Sequence, residues 1–195
     1  MTDKFLLTDV DDVILDWFPA FRAFCECKLN VSLTERATQY SMQEWLKISP
    51  EEIRALIDEF DREEESFGQL KSMRQADIYL PKFHVDGYKI IAITASSTRQ
   101  KSMQRRRDNL VREFGDIFTE IHCVDKAENK REYLKMYPSS IWVEDKIFNA
   151  QMGYELGHTG VVMRQLSNIE HEHEYPNLVW VDSWEQIYNL SKDAY

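Results

Sequence analysis

The chain has 195 residues, 43% apolar and 12% aromatic, with six Gly and five Pro. That is enough for one core of ordinary size, or one core plus a small inserted domain, and it excludes low-complexity sequence. The formal net charge of −10 weighs against a nucleic-acid polymer as ligand, because phosphate-backbone binders need a basic footprint; a small phosphorylated molecule held by a local cation or metal stays open. No apolar run reaches membrane-spanning length and no signal-peptide pattern opens the chain, so no membrane partner and a cytoplasmic location are expected. Three Cys without a Cys-x-x-Cys pattern fit a reducing compartment.

The first predicted strand covers about Lys4 to Thr8. It runs into Leu6-Leu7-Thr8-Asp9-Val10-Asp11-Asp12-Val13-Ile14-Leu15, where two carboxylates at i, i+2 interrupt an apolar run that resumes at once. From Trp17 to about Leu80 the texture is helical. Trp17, Phe18, Phe21 and Phe24 fall near helical spacing, Ser41 to Leu46 forms a second helix, and Ser49-Pro50-Glu51-Glu52 is a helix start with cap, N1 proline and first-turn acids. That third helix carries Ile53, Leu56, Ile57 and Phe60 on one face. Glu63-Glu64-Glu65 reads as a solvated helix face or loop.

Strand texture returns at Tyr88 to Thr94. A helix from about Arg99 to Phe114 follows, stopped by Gly115. Then come a strand at Glu120 to Val124, a helix at Glu128 to Met136, a strand at Ser140 to Val143 and a helix at Phe148 to Leu156. Short strands follow at Gly160 to Arg164 and Leu178 to Val181, and Ser183-Trp184-Glu185-Gln186 has capping-box spacing for a terminal helix. Strands alternating with helices imply an α/β fold, a Rossmann-like parallel sheet covered on both faces. Residues 17–80 read as a small helical cap inserted after the first strand, with 1–16 and 81–195 forming the core. No internal repeat is present.

Four groups recur at predicted strand ends. Asp9 and Asp11 follow the first strand, Thr94 closes the second, Lys126 follows the third, and Glu144 and Asp145 close the fourth. In a parallel sheet these positions converge on one edge. The set holds carboxylates for a hard cation, a hydroxyl donor and a fixed cation, which suits phosphoryl transfer. Lys130, one helical turn past Lys126, competes with it for the cationic role.

In this order and placement the motifs resemble those of the haloacid dehalogenase superfamily. Asp9-Val10-Asp11 resembles the first motif, Thr94 the second, Lys126 the third, and Glu144-Asp145-x-x-x-Asn149 the fourth. The resemblance covers the whole chain. It implies that Asp9 attacks phosphorus and that Asp11 serves the leaving oxygen and then the attacking water. It implies that Thr94, Ala95, Ser96 and Lys126 hold the phosphoryl group. It further implies that Mg2+ is bound by Asp9, Asp145 and the backbone carbonyl of Asp11, with Glu144 and Asn149 in or near the coordination shell. Asp12 stands where the family usually has Gly, which predicts a looser turn, and Asn149 replaces a commoner Asp. The small helical cap, Asp125-Lys126 and Ser183-Trp184 look like the deoxyribonucleotidase-like branch. The substrate expected on that basis is a small phosphorylated metabolite such as a nucleoside monophosphate, with Trp17 and Phe21 as candidates to face its base.

Other features are read as structural. His171-Glu172-His173 lacks a third ligand nearby and reads as a surface loop. Arg105-Arg106-Arg107 reads as a solvated helix face, and Cys25 as a buried, inert thiol. The competing functions are a phosphomutase on the same fold, a receiver-like phospho-acceptor and an inactive scaffold. The receiver is disfavoured because its phosphorylated Asp lies on a later strand, with no helical insertion. The sequence leaves the oligomeric state open.

Overall fold

The computed structural model describes residues 3–33, 42–63, 65–125 and 130–193. Six strands form one sheet: β1 (Lys4–Thr8), β2 (Tyr88–Ala95), β3 (Phe118–Val124), β4 (Ile141–Glu144), β5 (Thr159–Met163) and β6 (Val179–Val181). Among the described residues, eight α-helices accompany them: α1 (Trp17–Leu29), α2 (Met42–Leu46), α3 (Pro50–Phe60), α4 (Ala76–Val85), α5 (Gln100–Phe114), α6 (Arg131–Leu134), α7 (Ile147–Glu155) and α8 (Trp184–Asp193). The sheet order is β3-β2-β1-β4-β5-β6, and every pairing is parallel. The chain builds outward from β1 in one direction, then restarts at β4 on its other side. This reversal opens a crevice at the carboxyl ends of β1 and β4, the place where open α/β sheets bind ligands.

Alternation along the strands sorts the core into two layers. Leu6, Ile90, Ala92 and Val143 face one side, with Phe83 of α4, Leu110 and Phe114 of α5, and Trp184 and Ile187 of α8. Leu7, Ile91, Ile93 and Trp142 face the other, with Leu134 of α6 and Met152 of α7. Gly153 lets α7 lie close on the sheet, since a Cβ there would stand 2.3 Å from Trp142 Cδ1.

The described residues of the inserted segment carry helices α1, α2 and α3, as its spacing predicts. Ser49 caps α3 through a full capping box with Glu52. Phe21 stacks on Phe24, and Phe60 meets the two rings edge-on and tilted; all three join the same apolar cluster as the sheet face. The expected boundary at Leu80 falls inside α4. That helix buries Ala76, Leu80 and Phe83, and Phe83 packs on Tyr88 and Trp184, so α4 belongs to the core layer. The terminal helix keeps half of its expected box: Ser183 Oγ accepts from the Gln186 N–H at 3.3 Å, while Gln186 Oε1 accepts from the Asp182 N–H. No helix among the described residues is long and apolar enough to cross a membrane.

Candidate active site

The site begins where β1 runs out. The Asp9 N–H donates to the Val143 carbonyl at 2.9 Å, carrying the β1–β4 ladder one residue further and fixing Asp9 in the crevice. The chain then turns back on itself. The Ile14 and Leu15 N–H groups both donate to the Val10 carbonyl at 2.9 Å, and the Asp12 N–H donates to the Leu15 carbonyl at 2.8 Å. Val10, Val13, Ile14 and Leu15 are all buried, which explains why the acids are framed by apolar residues on both sides.

The looser turn expected from Asp12 does not occur. Asp12 takes φ 58°, the left-handed conformation for which Gly is usual and which Asp tolerates better than most residues. Its Oδ1 accepts from the Phe18 N–H at 2.8 Å, so this carboxylate caps the first turn of α1, which has no side-chain bond from its own N-cap residue, Asp16. The Trp184 indole N–H donates to the Val13 carbonyl at 2.9 Å, and Gln165 Nε2 donates to the Asp12 carbonyl at 3.2 Å. The loop carrying the acids is thus held by two residues from the C-terminal part of the chain.

A buried lysine faces Asp9. Lys130 Nζ lies 2.7 Å from Asp9 Oδ1 and 2.8 Å from Glu144 Oε1, with its side chain 2% exposed. Lys126 lies outside the described residues. The competitor named from the sequence therefore occupies the place beside Asp9. Burial works against the Lys130 charge, but Asp9 and Glu144 more than offset it and hold the ammonium above its ordinary range. Glu144 is fully buried; burial and then the Asp9 charge push its carboxyl up, against the pull of Lys130. Asn149 Nδ2 also donates to Glu144 Oε1 at 2.9 Å, and the Lys146 N–H to Oε2 at 3.1 Å. Asn149 thus orients Glu144.

Asp9, Glu144 and Asp145 each offer a carboxylate oxygen within 4.8 Å of the others. Asp145 Oδ1 is buried with no hydrogen-bond partner, and burial pushes that carboxyl up to about 7. A cluster of oxygen donors with an unmet buried oxygen fits a hard divalent cation such as Mg2+. Asp9, Glu144 and Asp145 could all contribute to holding it, Glu144 with both of its oxygens already accepting hydrogen bonds. Asn168 steadies this edge, since its Nδ2 donates to the Asp145 carbonyl at 2.8 Å and to the Met163 carbonyl at 3.0 Å. The sequence reading missed Asn168.

Thr94 is buried at the end of β2 and its hydroxyl has no partner, so the hydroxyl can serve a ligand oxygen. Ala95 lines the cavity, while the Ser96 N–H is taken by the Val124 carbonyl at 3.2 Å. A cavity of about 300 Å³ opens beside Ala95, at the small end of the range for ligand sites; Thr94 and Ser96 lie behind its lining rather than in it. Asp9, Asp11, Lys130 and Asp145 line its floor, and Trp17, Phe18, Met42, Ile57 and Asp61 come from the cap. Trp17 stacks on Phe21 at 4.4 Å between ring centroids. Phe21 itself is fully buried behind it and does not line the cavity; Phe18 does. Asp61, at the end of α3, accepts from the Ser97 N–H at 3.1 Å, and its carbonyl accepts from Ser102 Oγ, so the cap touches the loop after Thr94.

Arg106 departs from its expected place on a solvated face. It is fully buried, and its Nη2 lies 2.6 and 2.9 Å from the two oxygens of Asp11. The missed signal is its register with Leu110 and Phe114 at i+4 and i+8 on the buried stripe of α5. His171 pairs with Glu174, and His171 and His173 lie on a 3-10 turn at Ile169–Glu174 with no buried residue, away from the cavity lining. Cys25 is buried, which pushes its thiol up to about 12.

No family model matches this sequence, and no curated protein sequence matches it. Solved structures do. A haloacid dehalogenase-like family hydrolase of Streptococcus pneumoniae superposes with a TM-score of 0.71 at 11% identity, covering 96% of this chain and 98% of that one. A provisionally named phosphoglycolate phosphatase of Lactobacillus delbrueckii subsp. bulgaricus matches with a TM-score of 0.68 at 12% identity, over 97% and 98% of the two chains. A provisionally named β-phosphoglucomutase of Thermotoga maritima gives 0.62 at 18% identity, over 98% and 100%. This chain has the fold of the haloacid dehalogenase-like hydrolases.

Proposed function

We propose that the protein is a magnesium-dependent phosphomonoester hydrolase that works through an aspartyl phosphate on Asp9. The observation that carries this reading is the buried Lys130 ammonium bridging Asp9 and Glu144 at the floor of the cavity. It sits where the phosphoryl charge would fall, and it aims the Asp9 carboxylate. Asp9 Oδ attacks phosphorus and the bond from phosphorus to the ester oxygen breaks. Asp11 gives its proton to that oxygen, which leaves as the alcohol. Water then attacks the phosphorus of the aspartyl phosphate, its proton passes to Asp11, and the Asp9 carboxylate leaves. Each turnover thus restores both acids. Thr94 donates to a phosphoryl oxygen throughout. A magnesium ion held by Asp9, Asp145 and the Asp11 carbonyl supplies charge neutralisation among the acids and the phosphoryl oxygens.

The leaving group lies against the cap. Trp17 and Phe18 line the cavity on that side, which supports a nucleoside monophosphate as substrate. The test is a screen of nucleotides, sugar phosphates and small organic phosphates with magnesium and with chelator, alongside Asp9→Asn. Release of inorganic phosphate that needs magnesium and vanishes in Asp9→Asn supports the reading. Isomerised phosphate ester without phosphate release would assign a phosphomutase instead.

A further inference from the structure

Arg106 is a fully buried guanidinium outside the cavity lining. Its Nε and Nη1 are buried with no hydrogen-bond partner. Burying a cation with two unmet donors costs stability, so packing alone is a poor reason for it to be there. Its plane lies over the Phe67 ring, with Cζ 4.3 Å from the centroid. Fastening of the cap's return segment falls to its neighbours on α5. Asn109 Nδ2 donates to the Leu70 carbonyl at 2.8 Å, its Oδ1 accepts from the Leu70 N–H, and Arg112 Nη1 donates to the Gly68 carbonyl. Arg106 is left with Asp11, whose two oxygens share its Nη2.

We propose that Arg106 is a positioning residue for Asp11, holding the carboxyl group at the cavity edge through both halves of the reaction. The shared contact is suited to this. When one Asp11 oxygen carries the proton and points to the leaving group, the other still accepts from Nη2. When Asp11 is ionised, both accept. The carboxyl group therefore keeps its place as it gives up and regains a proton. The Phe67 ring fixes the guanidinium from behind, which ties the position of Asp11 to the base of the cap. The role rests on the phosphatase reading.

The test exploits the leaving group. Hydrolysis of p-nitrophenyl phosphate needs no proton on the departing oxygen, whereas an alkyl phosphate does. Arg106→Met keeps the contact with Phe67 and removes the charge; Arg106→Lys keeps a charge. If Arg106 acts through Asp11, Arg106→Met lowers kcat for the alkyl ester about tenfold more than for the aryl ester. Asp11→Asn gives the same pattern more strongly, and the double variant is no worse than Asp11→Asn alone. Arg106→Lys recovers part of the loss, and it carries the comparison if Arg106→Met does not fold. Equal losses on both esters, or losses that multiply in the double variant, would make Arg106 a merely structural residue and overturn the proposal. A wild type that turns over neither ester would remove the phosphatase reading, and with it the role.

Discussion

Lys130 shows how much one side chain decides at this site. Its long stem lets it start from the N-cap of α6 and still reach Asp9 at the end of β1. Removing it would leave Glu144 and Asp9 buried without their cation. Lys130→Ala is therefore expected to lower turnover about a hundredfold or more and stability by about 3 kcal/mol. Lys126→Ala is expected to cost far less on both counts. Steady-state kinetics and thermal unfolding of the two variants check this; greater damage from Lys126→Ala would place the catalytic cation there. Asp145 adds a pH effect with a definite sign. Its carboxyl rises from the usual Asp range to about 7 through burial, so the folded state binds more protons than the unfolded state across that window. Stability of the metal-free protein is then expected to fall as pH climbs from about 4 to 7. Added magnesium should flatten that slope, because a bound cation favours the ionised form. A metal-free melting temperature that rises across the window would contradict the burial of Asp145. Asp145→Ala should also weaken magnesium binding in a calorimetric titration, whereas Asp11→Asn, whose side chain points to Arg106, should leave it intact.

At the scale of elements, the cap's first helix divides its aromatic residues between two jobs. Phe21 is buried among Trp17, Phe24 and Phe60, and Phe21→Ala is expected to destabilise the fold by about 3–5 kcal/mol with little change in leaving-group preference. Trp17 reaches the cavity. Stacking on a base contributes roughly 1–3 kcal/mol, so Trp17→Ala should shift the ratio of kcat/KM between a nucleoside monophosphate and a generic ester about tenfold. An unchanged ratio in a folded Trp17→Ala would return Trp17 to packing and weaken the nucleotide assignment. On the opposite face of the sheet, Gly153→Ala would drive a methyl into Trp142, and a loss of about 1–3 kcal/mol is expected from overpacking. Chemical denaturation of both variants reads these losses directly. Much of this division was invisible in the primary structure. Phe21 and Trp17 share the same aromatic periodicity, and only the direction of α1 separates them. Leu80 looks like the end of a helical region, whereas Leu80 and Phe83 lie on the buried side of one continuous helix.

Across the whole molecule, what could be read early follows from where backbone and chemistry coincide. Apolar runs ending abruptly in Asp9, Thr94 and Glu144-Asp145 mark buried parallel strands and their carboxyl ends at once, so the sheet and its candidate site were legible together. The residues that escaped, Arg106 and Asn168, and those whose part was only half legible, Lys130 and Trp184, act across space. Lys130 and Arg106 are cations with buried heads, and cations in helical stretches usually read as solvated. Asn168 and Trp184 bond loops that the linear order keeps far apart. All of them converge on the crevice where the strand order reverses, and the account rests on Asp9 as the group phosphorylated there. The direct measurement uses Asp11→Asn, which keeps the nucleophile but lacks the group that activates water. This variant is mixed with p-nitrophenyl phosphate and magnesium, quenched in acid, and its peptides are weighed by mass spectrometry. The expected result is a phosphoryl adduct on the peptide bearing Asp9, absent in the Asp9→Asn/Asp11→Asn double variant. An adduct on another residue, or full turnover by folded Asp9→Asn, would contradict it.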